Sequence, residues 1–254
     1  MGKPFRKVID PLLARVGYKL DRLQPRTYPV EFDAPDRDIV SYVTKNELSM
    51  TSPERLFATL LACRYACERG IAGDFVECGV WRGGNAMVAA DVFRRLAPAR
   101  KTYLFDTFAG MTEPTEADVS RGGSRAADEY RRMSRDGHSE WCYASLEDVR
   151  GGFEARGLMA GAVFVKGDVA QTLLDAPSLP ERISVLRLDT DWYESTKLEL
   201  EVLYPKLRPG GVLIVDDYGY WGGARKAIDE YFSAHPKPFF QYVDHTARMG
   251  IKTP

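Results

Sequence analysis

The 254-residue chain carries 35 Lys and Arg against 36 Asp and Glu, for a formal net charge of -1. This balance excludes a dedicated nucleic-acid binder, whose phosphate contacts need a basic excess, and leaves room for a small polar ligand. At 44% hydrophobic and 28% charged residues, the composition is that of a soluble globular protein able to bury a substantial core.

No stretch reaches the roughly 18–20 apolar residues of a membrane span, and no signal peptide is visible. The four cysteines, Cys63, Cys67, Cys78 and Cys142, are therefore expected as reduced thiols of a cytoplasmic protein. Cys63 and Cys67 face the same way on a predicted helix, but no second Cys or His pair completes a zinc site.

In chain order, Val8, Ile9, Leu12, Leu13, Val16 and Leu20 recur at helical spacing, with basic residues between them. Such a helix can lie on a membrane, but packing on its own domain or on a partner subunit is the simpler reading. The latter leaves a homo-oligomer open. Residues 24–38, with Pro25, Pro29 and Pro35, read as a connector or lid. Pro53 opens a helix that Gly70 and Gly73 end.

Five short apolar runs follow: 74–78, 102–105, 162–165, 183–188 and 212–215. Most lack polar alternation, as expected of parallel strands covered on both faces. Helices are expected at 85–96, 145–156, 169–175, 194–207 and 223–234, and a closing antiparallel pair at 239–243 and 248–252. Strands alternating with helices define a doubly wound α/β sheet. The polar segment 109–141 interrupts the rhythm as a lid-like insertion or a solvated loop.

The first strand runs into Glu77, Gly79, Trp81, Gly83 and Gly84. Glycines there permit a sharp turn and close approach to a ligand, and the next helix offers unpaired amides. The second strand ends at Asp106, placed to accept ribose hydroxyls, and the third at Gly167-Asp168, placed to meet an adenine amino group. These features do not separate NAD from S-adenosylmethionine, and each acid can also cap a turn.

The fourth strand delivers Asp189-Thr190-Asp191 and the fifth Asp216-Asp217 to the same sheet edge. Carboxyls converging there repel unless a cation or protons compensate. An all-oxygen set suits a hard ion such as Mg²⁺. Trp192, Tyr193, Tyr218, Tyr220 and Trp221 surround the acids and offer faces for sugars or aromatic molecules.

Residues 73–84 (Gly-Asp-Phe-Val-Glu-Cys-Gly-Val-Trp-Arg-Gly-Gly), 106–114, 186–195 (Leu-Arg-Leu-Asp-Thr-Asp-Trp-Tyr-Glu-Ser) and 204–218 resemble the macrocin O-methyltransferase family, over about residues 40–252. That family includes enzymes methylating sugar hydroxyls of macrolide and aminocoumarin antibiotics. The resemblance implies a Rossmann-like class I methyltransferase sheet with antiparallel edge strands and an N-terminal helical extension. It also implies S-adenosyl-L-methionine as donor, Mg²⁺, and a small-molecule acceptor bearing a sugar hydroxyl. Carried over by position, Asp189, Asp216 and Asp217 are metal ligands and Asp191 the base that takes the hydroxyl proton. Met50, Thr51, Glu77, Gly79, Trp81, Gly83, Asp106, Phe108, Ser145 and Asp168 are cofactor contacts. The chain then divides into an N-terminal helix and connector, 1–52, and a methyltransferase domain, 53–254, with a lid insertion at about 109–141.

Two alternatives have their own support. Asp189-Thr190-Asp191 after an apolar strand also fits the Asp-x-Asp motif of a metal-dependent glycosyltransferase acting on a nucleotide sugar. A non-catalytic small-molecule-binding scaffold would keep the fold alone. An NAD dehydrogenase is disfavoured, because no His, Lys or Tyr stands out as a hydride-transfer partner.

Overall fold

The computed structural model describes residues 28–254, and the predicted amphipathic segment within 1–27 lies outside them. Residues 28–32 belong to a short N-terminal unit, a turn closed by the Phe32 amide on the Pro29 carbonyl at 3.1 Å. The body of the fold is Asp33–Pro254.

The body opens with a helix, α1 (Ala34–Lys45), where the sequence was read partly as connector. Asp33 and Asp36 cap each other's backbone amides, and Pro35 sits in the first turn, where its missing N–H costs nothing. Residues typical of a loop thus start a helix, and α1 buries Ile39, Val40 and Val43 as it packs on the next two helices. Those are α2 (Pro53–Glu68), capped by Ser52, and α3 (Gly84–Leu96).

The strand–helix alternation runs β1 (Asp74–Cys78), α3, then β2 (Thr102–Asp106). The insertion folds as α4 (Ala126–Met133) and a small hairpin, β3 (Ser134–Arg135) and β4 (His138–Ser139). Then come α5 (Leu146–Ala155), β5 (Ala162–Lys166), α6 (Val169–Thr172), β6 (Ile183–Leu188) and α7 (Tyr193–Leu203). The chain closes with β7 (Leu207–Val215), α8 (Gly222–Ala234), β8 (Gln241–Tyr242) and β9 (Arg248–Ile251). Strand β7 starts earlier than expected, because its polar first half pairs irregularly with β6 and carries no hydrophobic signal.

The seven strands lie in the order β5-β2-β1-β6-β7-β9-β8, with β9 and β8 antiparallel at one edge and the rest parallel. The sheet is thus the expected doubly wound class I arrangement. Val76, Cys78, Phe105, Leu186, Leu188, Leu213 and Val215 join α6, α7 and α8 in one core cluster. Residues alternating with them, Glu77 and Arg187 included, point to the α2–α3 face. Both faces are covered, which is why the strands read as apolar runs. All four cysteines are free thiols, and no helix among the described residues is long and apolar enough to cross a membrane.

Candidate active site

Register builds the site. Cys78 lies opposite both Phe105 and Leu188, and Leu188 opposite Val215, so Gly79, Asp106, Asp189 and Asp216 leave their strands at one level. Ladder bonds continue one step further: Gly79 N–H donates to Phe105 O, Asp189 N–H to Cys78 O and Asp216 N–H to Leu188 O, each at 2.9 Å. Strand order reverses between β1 and β6, and ligands of open α/β sheets bind beside the carboxyl ends at such a switch point. Gly79 adopts φ +77°, and a side chain there would collide with the Asp189 carbonyl. This glycine is required by the neighbouring strand end, before any ligand is considered.

Carboxylate oxygens of Asp189, Asp191 and Asp217 lie within 4.8 Å of one another. Burial raises the Asp189 and Asp217 carboxyls well above the usual range; the charges of neighbouring acids add to it, and Arg187 opposes it at Asp189. Burial likewise lifts Asp191 to about 7, opposed by its hydrogen bond with Asp217. An all-oxygen cluster that holds its charge only at such cost fits a hard divalent cation.

Asp216 is placed differently. Its carboxylate accepts Arg187 Nη2 at 2.5 Å and also pairs with Arg55 Nη1. Arg187, fully buried, bonds Glu77 Oε1 at 2.6 Å and Asp189 Oδ2 at 2.7 Å as well. Arg55 Nε reaches Asp244 at 2.7 Å, and Ser52 donates to the same oxygen. The sequence reading missed Arg187, Arg55 and Asp244. An arginine inside the apolar run 183–188 was a signal, since a buried guanidinium demands acids around it.

Two cavities meet at Gly79, Asp106, Gly110, Met111 and Asp189. The larger, ≈ 480 Å³, is lined by Met50, Thr51, Trp81, Arg55 and the four acids Asp189, Asp191, Asp216 and Asp217. The smaller reaches Gly167, Asp168 and Thr190. Asp106 accepts three backbone amides, from Val80, Trp81 and Phe108, so it also ties the turn after β1 to β2. Asp168 caps α6 while lining the smaller cavity.

Four of the expected cofactor residues do not line these cavities. Glu77 is buried against Arg187. Gly83 turns into α3 in the left-handed region beneath Val149 and Phe153. Phe108 is buried, and Ser145 caps α5.

The insertion lies against this edge. Its Thr112 carbonyl accepts Trp192 Nε1 at 3.0 Å, and Asp118, buried, accepts the Tyr193 amide at 2.8 Å. Trp192 packs edge-on against Trp141 and Trp221, which are tilted to each other, with ring centres 5.1–6.1 Å apart. Trp141, Trp221, Met111 and Cys142 line the same cavity as the acids, and the Trp221 side chain hydrogen-bonds Asp191.

Glu199 on α7 is fully buried, accepts Thr190 Oγ1 at 2.8 Å and leaves Oε2 without a partner. Burial lifts its carboxyl to about 8, so the folded chain holds a proton there that the unfolded chain releases near the ordinary glutamate value. Stability from this group is present below that value and is lost as pH rises toward 8. Glu199→Gln is expected to remove the loss, on the order of a few kcal/mol at pH 8.5, and to matter little at pH 4. Thermal melts of both proteins across this range measure the difference, and parallel curves would refute it.

The fold and site define a class I methyltransferase architecture. The chain matches the family model Macrocin-O-methyltransferase (TylF) over residues 13–248, and it belongs to that family. It is an S-adenosylmethionine-dependent O-methyltransferase. It is 42% identical over 229 residues, 89% of this chain and 84% of the relative, to 8-demethyl-8-(2,3-dimethoxy-alpha-L-rhamnosyl)-tetracenomycin-C 4'-O-methyltransferase of Streptomyces olivaceus. Mycinamicin III 3''-O-methyltransferase of Micromonospora griseorubida is 33% identical over 172 residues, 67% of this chain and 64% of that one. The solved structure of the O-methyltransferase NovP superposes with a TM-score of 0.72 at 26% identity, covering 87% of this chain and 97% of NovP. Family membership sets aside the glycosyltransferase and scaffold alternatives.

Proposed function

We propose that the chain methylates a hydroxyl of a sugar or of a glycosylated small molecule and requires Mg²⁺, with Asp191 as general base. The carrying observation is the convergence of Asp189, Asp191 and Asp217 beside the crevice that Gly79, Asp106 and Asp168 line. Names of relatives support the sugar: two of them act on a rhamnosylated tetracenomycin and on mycinamicin III.

When bound, S-adenosylmethionine supplies an electrophilic methyl group and the divalent ion acidifies an acceptor hydroxyl. Asp189 and Asp217 would hold the ion from adjacent strand ends. Asp216 keeps its place as third ligand only by its position in the motif: each of its oxygens is paired with a guanidinium, Arg187 on one and Arg55 on the other, so an incoming ion would have to displace one of them. Asp106 and Asp168 would orient the donor's ribose and adenine, beside Met50, Thr51, Trp81 and Gly79. Trp141 and Trp221 would exclude water and present faces to the acceptor. Asp191, two positions beyond Asp189 and beside Asp217, would take the hydroxyl proton.

EDTA is expected to abolish methyl transfer and added Mg²⁺ to restore it, with S-adenosylhomocysteine binding followed by calorimetry in both states. Full turnover in EDTA removes the cation from the reading. Donor binding without methylation of any sugar hydroxyl removes the sugar.

A further inference from the structure

Tyr220 and Trp221, which line the acidic cavity, also line a third cavity of ≈ 380 Å³. Arg121, Arg225, Arg248 and His245 line it, and no carboxylate does. An acid-rich and an arginine-rich cavity thus share two aromatic lining residues.

The cations are gathered about one ring. Arg225 Cζ lies 5.4 Å, Arg248 Cζ 5.7 Å and Lys237 Nζ 5.9 Å from the Tyr218 ring centre. A single acid, Asp229, answers them: it accepts Lys237 at 2.9 Å, pairs with Arg225 at 3.5 Å and takes the Tyr218 hydroxyl at 2.9 Å. Arg248 has no carboxylate partner among the described residues. Its Nη1 is held instead by the carbonyls of Asp244 at 2.9 Å and Ala247 at 2.8 Å, which fixes the guanidinium without neutralising it. Arg121 is exposed and likewise has no ion-pair partner among the described residues, while its amide is fastened to the Tyr220 carbonyl at 2.8 Å.

Planar guanidiniums set at a cavity wall match phosphoryl oxygens in pairs, and the volume suits a phosphorylated group rather than water alone. We propose that Arg121, Arg225 and Arg248 form a subsite for a phosphoryl group carried by the acceptor, so that the enzyme accepts a phosphorylated or nucleotide-linked sugar. Because Tyr220 and Trp221 line both cavities, a phosphate at the arginines sits next to the cavity that holds the acids. The inference rests on the sugar-acceptor reading above only for what is attached to the phosphate.

Calorimetry with inorganic pyrophosphate, glucose 1-phosphate and uridine diphosphate tests it on the full chain and on Arg121→Gln, Arg225→Gln and Arg248→Gln. S-Adenosylhomocysteine affinity serves as the check that each variant is folded. Each substitution is expected to weaken pyrophosphate binding at least about tenfold. Arg121 and Arg225 make no bond to the loop that Arg248 ties, so those variants report even if Arg248→Gln misfolds. Tighter binding of uridine diphosphate than of glucose 1-phosphate identifies a nucleotide-linked sugar as the source, and the reverse a sugar phosphate. No pyrophosphate binding at millimolar concentration, or binding equal in all variants, overturns the subsite. Arginine-dependent pyrophosphate binding in an enzyme that methylates no sugar, phosphorylated or neutral, leaves the subsite standing and defeats the sugar reading.

Discussion

Asp191→Asn is expected to lower kcat by about 10²–10⁴-fold, the usual worth of a positioned general base, while S-adenosylhomocysteine still binds. The substitution isolates chemistry from structure. Asp191 sits at φ +70°, a left-handed conformation that strains most residues but that asparagine adopts readily. The amide therefore keeps the backbone and the side-chain shape but loses the charge and the ability to take a proton. A Mg²⁺ titration of the variant adds a second reading, since Asp191 lies within the same oxygen cluster as Asp189 and Asp217. A shifted Mg²⁺ requirement with kcat restored at saturation would place Asp191 among the ligands. Undiminished turnover on an authentic acceptor would dismiss the base altogether.

The largest stability effect is expected at Arg187. This guanidinium is the common partner of Glu77, Asp189 and Asp216, contributed by the ends of three adjacent strands. Arg187→Leu fills the space with an apolar group but leaves buried carboxylates unanswered. Removing one partner of a buried ion pair costs about 3–5 kcal/mol. For a chain of this size the loss corresponds to a fall in Tm on the order of 6–20 °C, read by thermal melting. Arg187→Lys keeps the charge but not the planar fork that reaches three acids, and is expected to recover part of the loss. Adding Glu77→Gln to Arg187→Leu is expected to recover part as well, because one uncompensated charge disappears. A melt unchanged in Arg187→Leu would mean that the acids are protonated in the folded chain without it.

These two residues also mark how far the sequence could be read. Asp191 was legible: an acid two positions beyond an apolar strand, matched by a second acid pair after the next strand. Arg187 was printed in the same motif, yet its role depended on which face of β6 it occupied and on what β1 and β7 placed beside it. Alternation along a strand says that Arg187 and Leu188 point oppositely. Only the sheet order says that Glu77 and Asp216 are the neighbours. The same limit applies to Asp216 and Asp217. Adjacent in sequence, they face different partners, the first two arginines and the second Asp191.

By itself the sequence determined the alternation of strands and helices, the common edge at which the acids emerge, and the methyltransferase family, because these follow from local periodicity and contiguous motifs. It misread the start of α1, where Asp33, Pro35 and Asp36 serve a helix cap rather than a loop. Tertiary structure alone decided which acids converge, which are tied to arginines, and that Arg121, Arg225 and Arg248 meet beside Tyr220 and Trp221. Those three arginines lie on separate segments of the chain. Electrostatic interactions act through space between such segments, so no local pattern records them.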